Sequence, residues 1–192
     1  MDTAKHIDTQ DHRPGRLYWG NLNWLWLSLI VIGTDWATKW AATHFLTFAT
    51  PEAITPFFNL TLLYNHGAAF SLLAQASGWQ RWGFATLAVL IAGGLLVWLL
   101  RIPGRQAIVP KRRGLILIKF AIALIIGGAI GNLIDRVLIG YVVDFLDFHA
   151  FGYHWPAFNV ADSAITIGVI LLLVVEILPA KTPSRAQGAR SS

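Results

Sequence analysis

Two aspartates stand in apolar company in this chain. Asp144 sits in Val142-Val143-Asp144-Phe145 and Asp162 in Asn159-Val160-Ala161-Asp162, with no basic residue next to either in sequence. Two carboxyls brought together at low dielectric cannot both ionise, so they share one proton and titrate as a coupled pair. That state suits amide hydrolysis: the ionised member takes a proton from water while the protonated member donates to the carbonyl oxygen, and the proton taken from water then passes to the leaving amine. Spacing alone does not prove that residues so far apart meet, and the reading depends on the elements that carry them.

Other polar residues each have a plainer reading beside the functional one. Asp35 and Lys39 are spaced i, i+4 with the acid first, so they can pair along one helix face and serve a structural or supporting role. Asp135 and Arg136 point to different faces of their helix; Asp135 is placed to contact Lys39 across helices, a structural role, which leaves Arg136 for something anionic. Asp147, followed by an amphipathic stretch, reads as a solvated or capping residue. Lys119 is expected to snorkel to an interface. The histidines at 44, 66, 149 and 154 lack metal-ligand spacing, and no metal or cofactor is expected. With no cysteine, the chain has no disulfide, no thiol chemistry and no Cys-ligated metal.

These residues belong to an oily chain. Of 192 residues 55% are hydrophobic and 13% charged, and the mean hydropathy is +0.55. Too little polar surface exists to cover a soluble globule of this size, so the chain reads as one integral membrane domain, 1–192, without internal repeats. The net charge of +5 does not point to nucleic acid, because most of the 15 basic residues fall in three short segments bordering apolar runs.

A crossing helix needs about 20 mostly apolar residues. Four windows qualify, at roughly 22–45, 78–100, 115–134 and 160–178. The expected fold is an all-α membrane bundle of four transmembrane helices, with a small extracytoplasmic β-ribbon and an interfacial segment. Tails of about 1–20 and 180–192 and the 101–114 loop carry the basic clusters, whereas 46–77 has no Lys or Arg, so the positive-inside rule puts both termini in the cytoplasm. The ribbon is read from PFFNLTLLYNHGAAFSLL, rich in aromatic residues and partly alternating, and the interfacial segment from DFLDFHAFGYHWPAF. In this topology Asp35, Lys39, Asn132, Asp135, Arg136, Asp144, Asn159 and Asp162 converge near the outer leaflet. Ionisable groups at membrane depth are costly unless paired and mark function by default.

Five motifs in order, Asp35-Trp-Ala-Thr-Lys39, Asn65-His-Gly-Ala-Ala-Phe70, Gly131-Asn-Leu-Ile-Asp-Arg136, Val143-Asp-Phe145 and Phe158-Asn-Val-Ala-Asp162, resemble those of signal peptidase II, the bacterial aspartyl endopeptidase of prolipoproteins. The resemblance covers roughly residues 20 to 178, without departure at a motif position. It implies Asp144 and Asp162 as the catalytic dyad; Asn65, Gly67, Asn132, Arg136 and Asn159 as the polar site around it; and Asp35 and Lys39 as support. It further implies a signal-peptide substrate cut on the N-terminal side of a diacylglyceryl-bearing Cys, in the bacterial inner membrane amid lipid, and inhibition by globomycin-type lipopeptides. The competing reading is a small proton- or ion-coupled transporter using the same carboxylates. It predicts polar residues through the full membrane depth, but the inner halves of the second and fourth windows are almost wholly apolar.

Overall fold

The computed structural model describes residues 17–67, 79–103 and 112–177. Both basic tails, most of the 101–114 loop and residues 68–73 of the expected ribbon lie outside the described residues. In chain order the elements are a 3₁₀ turn Trp19–Trp24, α1 Leu25–Phe45, β1 Glu52–Thr55, β2 Phe58–Asn65, α2 Trp79–Arg101, α3 Arg112–Leu138, β3 Val142–Ala150, β4 Tyr153–His154 and α4 Val160–Ile177. Among the described residues three helices, α2, α3 and α4, are long and apolar enough to cross a membrane. α1 has 21 residues, enough in length, but Asp35, Lys39 and a row of threonines dilute it. Those threonines spend their hydroxyls locally, Thr34 on Ile30 O and Thr38 on Thr34 O, both at 2.8 Å.

α3 is the central helix, with α1, α2 and α4 packed around it and most of its surface covered. Small residues make the closest approach possible. A Cβ on Gly128 would lie 2.3 Å from Ala161 O, and one on Gly131 2.8 Å from Asp35 Oδ2, so only glycine lets α4 and the Asp35 carboxylate come this near. α3 also runs past the expected end at 134 to Leu138, which keeps Asp135 and Arg136 inside its last turn. Arg81 reaches from α2 to donate to Val137 O at 2.7 Å and so satisfies a carbonyl at this helix end.

Lys119 departs from its expected role. It is buried, and its Nζ donates to Asn21 Oδ1 at 2.8 Å and Pro103 O at 3.0 Å. Asn21 in turn donates to Leu99 O and Ile102 O, both at 2.8 Å, closing the end of α2. A buried ammonium with fixed acceptors is a clasp between three segments rather than a group reaching for water.

The extracytoplasmic reading changes more. The expected interfacial segment is a strand: β3 pairs antiparallel with β2, and β4 folds back on β3 through a turn at Phe151 and Gly152, whose φ values are 51° and 81°. The sheet order is β1-β2-β3-β4. Between Leu60 and Leu63 the β2–β3 register shifts, so Asn59 faces Asp147 while Leu63 faces Asp144. A regular strand would send Asp144 and Asp147, three apart, to opposite faces. The irregularity lets the alternating row Asn59, Thr61 and Asn65 of β2 supply partners to both.

Candidate functional site

The site is assembled where α1, α3, α4 and β3 meet. Lys39 on α1 lies 2.7 Å from Asp35 and 2.9 Å from Asp135 on α3, so both the pairing along the helix and the one across helices are present. The two acids have second duties. Asp35 Oδ1 accepts the Ala161 N–H at 2.9 Å, in the first turn of α4, and Asp135 Oδ2 accepts the Val143 N–H at 3.2 Å, one residue before Asp144. One buried lysine and two carboxylates thus fix the backbones that carry both Asp144 and Asp162.

Three asparagines hold the carboxyls themselves. Asn159, wholly buried, caps α4: its Oδ1 accepts the Asp162 N–H at 2.9 Å while its own N–H donates to Asp162 Oδ2 at 3.3 Å, a reciprocal box. Its side-chain amide donates to Asp144 Oδ1 at 2.7 Å. Asn132 donates to Asp162 Oδ1 at 2.7 Å, and its oxygen accepts Lys39 Nζ at 3.0 Å and Asn159 Nδ2 at 3.2 Å. Asn65 donates to Asp144 Oδ2 at 3.0 Å, its own oxygen taken by the Gly67 N–H at 3.0 Å, which fixes the amide's orientation. Each carboxyl is therefore held by two donors, and Asn159 serves both.

The setting is low in dielectric on one side and open on the other. Burial, then the neighbouring Asp162 charge, pushes the Asp144 pKa up to about 7, against the hydrogen bonds of Asn65 and Asn159 and the charge of Lys39. Both carboxyls border a cavity of about 1280 Å³, with Asn65, Gly67, Asn132 and Arg136 also on its wall. Phe48, Trp155, Phe158 and Ile167 supply apolar surface there. Arg136 donates to Asn132 O at 3.2 Å and lies over the Phe84 ring at 5.3 Å, which stiffens a cation at the cavity edge. A buried carboxyl that holds a proton near neutrality, with a second carboxyl on the same cavity, can perform acid–base hydrolysis.

The structure brings together Asp35, Lys39, Asn65, Asn132, Arg136, Asp144, Asn159 and Asp162, with Gly67 beside Asn65. It does not make Asp147 a solvated or capping residue. Asp147 is buried in β3, where His154 Nδ1 at 2.7 Å, Asn59 Nδ2 at 3.2 Å and Thr61 Oγ1 at 3.0 Å surround it. Burial opposes its ionisation, but these hydrogen bonds prevail and hold its pKa below the usual carboxylate value. Asn59, Thr61 and His154 were missed in the sequence; the polar alternation Asn59, Thr61, Asn65 was the available signal.

The chain is similar to known proteins in both sequence and fold. The sequence pattern of the signal peptidase (SPase) II family matches residues 27–178. A lipoprotein signal peptidase of Acinetobacter baumannii is 50% identical over 159 residues, 83% of this chain and 85% of that one. Another, of Burkholderia mallei, is 49% identical over 169 residues, 87% of this chain and 91% of that one. A solved structure described as a bacterial membrane enzyme superposes with a TM-score of 0.68 at 30% identity, covering 92% of this chain and 98% of its own.

Proposed function

The chain belongs to the signal peptidase II family, and from that premise we propose that it removes signal peptides from prolipoproteins with Asp144 and Asp162 as its catalytic dyad. It is an aspartic peptidase, a hydrolase of the membrane. The transporter reading has no support among the relatives, which are peptidases.

The observation that carries the dyad is the double use of Asn159, which donates its side-chain amide to Asp144 and its main-chain N–H to Asp162. Two carboxyls held by one buried residue on one cavity share a proton. The ionised member draws a proton from water as the water attacks the scissile carbonyl, and the protonated member donates to the developing oxyanion; the proton taken from water then passes to the departing amine as the C–N bond breaks, and the diol hydroxyl returns a proton to the second carboxyl. Asn132 and Asn65 keep each carboxylate oxygen aimed, while Asp35, Lys39 and Asp135 fix the backbones beneath. Arg136 offers its guanidinium to a substrate carbonyl or a lipid headgroup at the cavity edge.

The substrate of this reading is a signal peptide whose Cys bears a diacylglyceryl group, cut on the N-terminal side of that Cys. α1 is the fourth span; with the basic segments inside, both termini are cytoplasmic and the site opens near the outer leaflet of the bacterial inner membrane. A chamber there admits a lipid-bearing peptide sideways, acyl chains in hydrocarbon and peptide bond on the carboxyls. A globomycin-type lipopeptide would occupy the same chamber.

The test is cleavage of a diacylglyceryl-modified prolipoprotein by the purified protein in detergent. Wild type is expected to cut, and Asp144→Asn and Asp162→Asn, each verified as folded, to lose on the order of 10³-fold in rate. A folded variant with near-normal turnover would remove that aspartate from the dyad.

A further inference from the structure

The cavity continues past the dyad onto the sheet, where it meets a polar cluster that the hydrolysis does not use. Asp147 has both oxygens engaged, Oδ1 with His154 and Oδ2 with Asn59 and Thr61. A carboxylate held ionised by donors can only accept, so the His154 proton on that side sits on Nδ1. In the neutral ring Nε2 is then an acceptor, and among the described residues none bonds it. The His154 side chain is 52% exposed and borders the cavity. Its ring is also held from the face: the His149 ring stacks on it with centroids 5.0 Å apart and planes at 25°, and His149 Nε2 meets Asn59 Oδ1 at 3.3 Å. An imidazole fixed at one nitrogen and one face, with an unused acceptor beside a chamber, is preorganised to receive a donor.

Two elements wall this chamber: α4 contributes Ser163, Ile165 and Ile167, and the sheet with the residue after it contributes Thr61, Asp147, His154 and Trp155. α4 descends into hydrocarbon, so its side of the chamber takes the apolar signal peptide, and the chain that follows the scissile bond leaves across the sheet. We propose that His154, oriented by Asp147, accepts a main-chain N–H of the substrate on the C-terminal side of the scissile bond, forming a subsite for the first residues of the mature lipoprotein. This rests on the peptidase reading above and adds a second contact region to it. An extended peptide presents N–H groups whatever its side chains, so the subsite serves substrates of varied sequence.

The full-length enzyme would be assayed on two diacylglyceryl-modified substrates, one ending at the lipidated Cys and one continuing about five residues beyond it, enough for an extended stretch of some 17 Å. Loss of one hydrogen bond predicts that His154→Ala raises KM about five- to tenfold on the longer substrate alone, with kcat little changed. His154→Gln, whose amide oxygen reaches the Nε2 position, keeps most of the wild-type KM. Asp147→Asn turns an amide N–H toward His154 while its oxygen faces the donors Asn59 and Thr61; the imidazole tautomer reverses, and KM on the longer substrate rises as in His154→Ala. A KM unchanged by His154→Ala, or raised equally on both substrates, would overturn the subsite while leaving the dyad standing. If wild type cuts neither substrate, the peptidase reading falls and the subsite with it.

Discussion

Lys39 Nζ donates to Asn132 Oδ1 at 3.0 Å, and through that bond the buried ion cluster reaches the candidate dyad. Asn132 can aim its Nδ2 at Asp162 only because its oxygen is occupied by Lys39 and Asn159. Replacing Lys39 by Met keeps the length and removes the charge, leaving the buried Asp35 and the half-buried Asp135 without their cation. Breaking a buried pair in this way costs about 3–5 kcal/mol. Lys39→Met is expected to show a large fall in thermal midpoint in detergent together with loss of cleavage. Unchanged melting would mean that water reaches the cluster and replaces the ammonium.

One glycine of α3 and one of α2 yield a contrast within one fold. Gly128→Ala drives a methyl group against the backbone oxygen of Ala161, which has no freedom to swing aside, and Ala161 lies between Asn159 and Asp162 in the reciprocal cap. Overpacking of this kind costs about 1–3 kcal/mol, and the displaced turn should reduce cleavage as well. Gly93 on α2 meets nothing within 4 Å, so Gly93→Ala should stabilise by up to about 1 kcal/mol through helix propensity. Melting both variants side by side separates helix propensity from helix contact.

Much of the site was legible because membrane burial makes polar residues conspicuous. Asp35, Lys39, Asn132, Asp144, Asn159 and Asp162 stand out against an apolar background, and the i, i+4 spacing of the first two gave their pairing directly. The sheet was harder. β3 carries Asp144 and Asp147 three apart, which contradicts strand alternation until the β2 register shift is known, and a shift of pairing partner leaves no local mark. The role of Asp147 was lost for the same reason, since its partners Asn59 and Thr61 lie far away in sequence. Lys119 looked like a snorkelling residue because its acceptors, Asn21 and Pro103, come from other segments.

The membrane orientation is open to a direct chemical test, since the chain has no cysteine to confuse labelling. A single Cys at Thr3 or Ser191 should resist a membrane-impermeant maleimide in intact cells and react after lysis. One at Phe151, fully exposed at the turn between β3 and β4, should react without lysis. Labelling of both tails in intact cells would invert the arrangement and move the carboxyl site to the cytoplasmic side.

The raised Asp144 pKa makes a prediction with a definite sign for both stability and rate. The unfolded carboxyl titrates near 3.8 and the folded one at about 7, so between these values the folded state alone keeps the proton. This stabilising contribution is complete below the lower value and is lost as pH rises through the upper one. Thermal midpoints should therefore decline from pH 4 to pH 7, and Asp144→Asn, permanently neutral, should flatten that slope. Asp147 acts in the opposite sense: its lowered pKa gives stability that is present above 3.8 and lost as pH falls further, outside the first window. For catalysis, kcat/KM reports the free enzyme and should fall as pH passes about 7, where the pair loses its shared proton. Bound substrate expels water and strengthens the desolvation that raises the pKa, so the corresponding limb of kcat should lie at higher pH. Both limbs at one pH would mean that the occupied chamber stays as wet as the empty one.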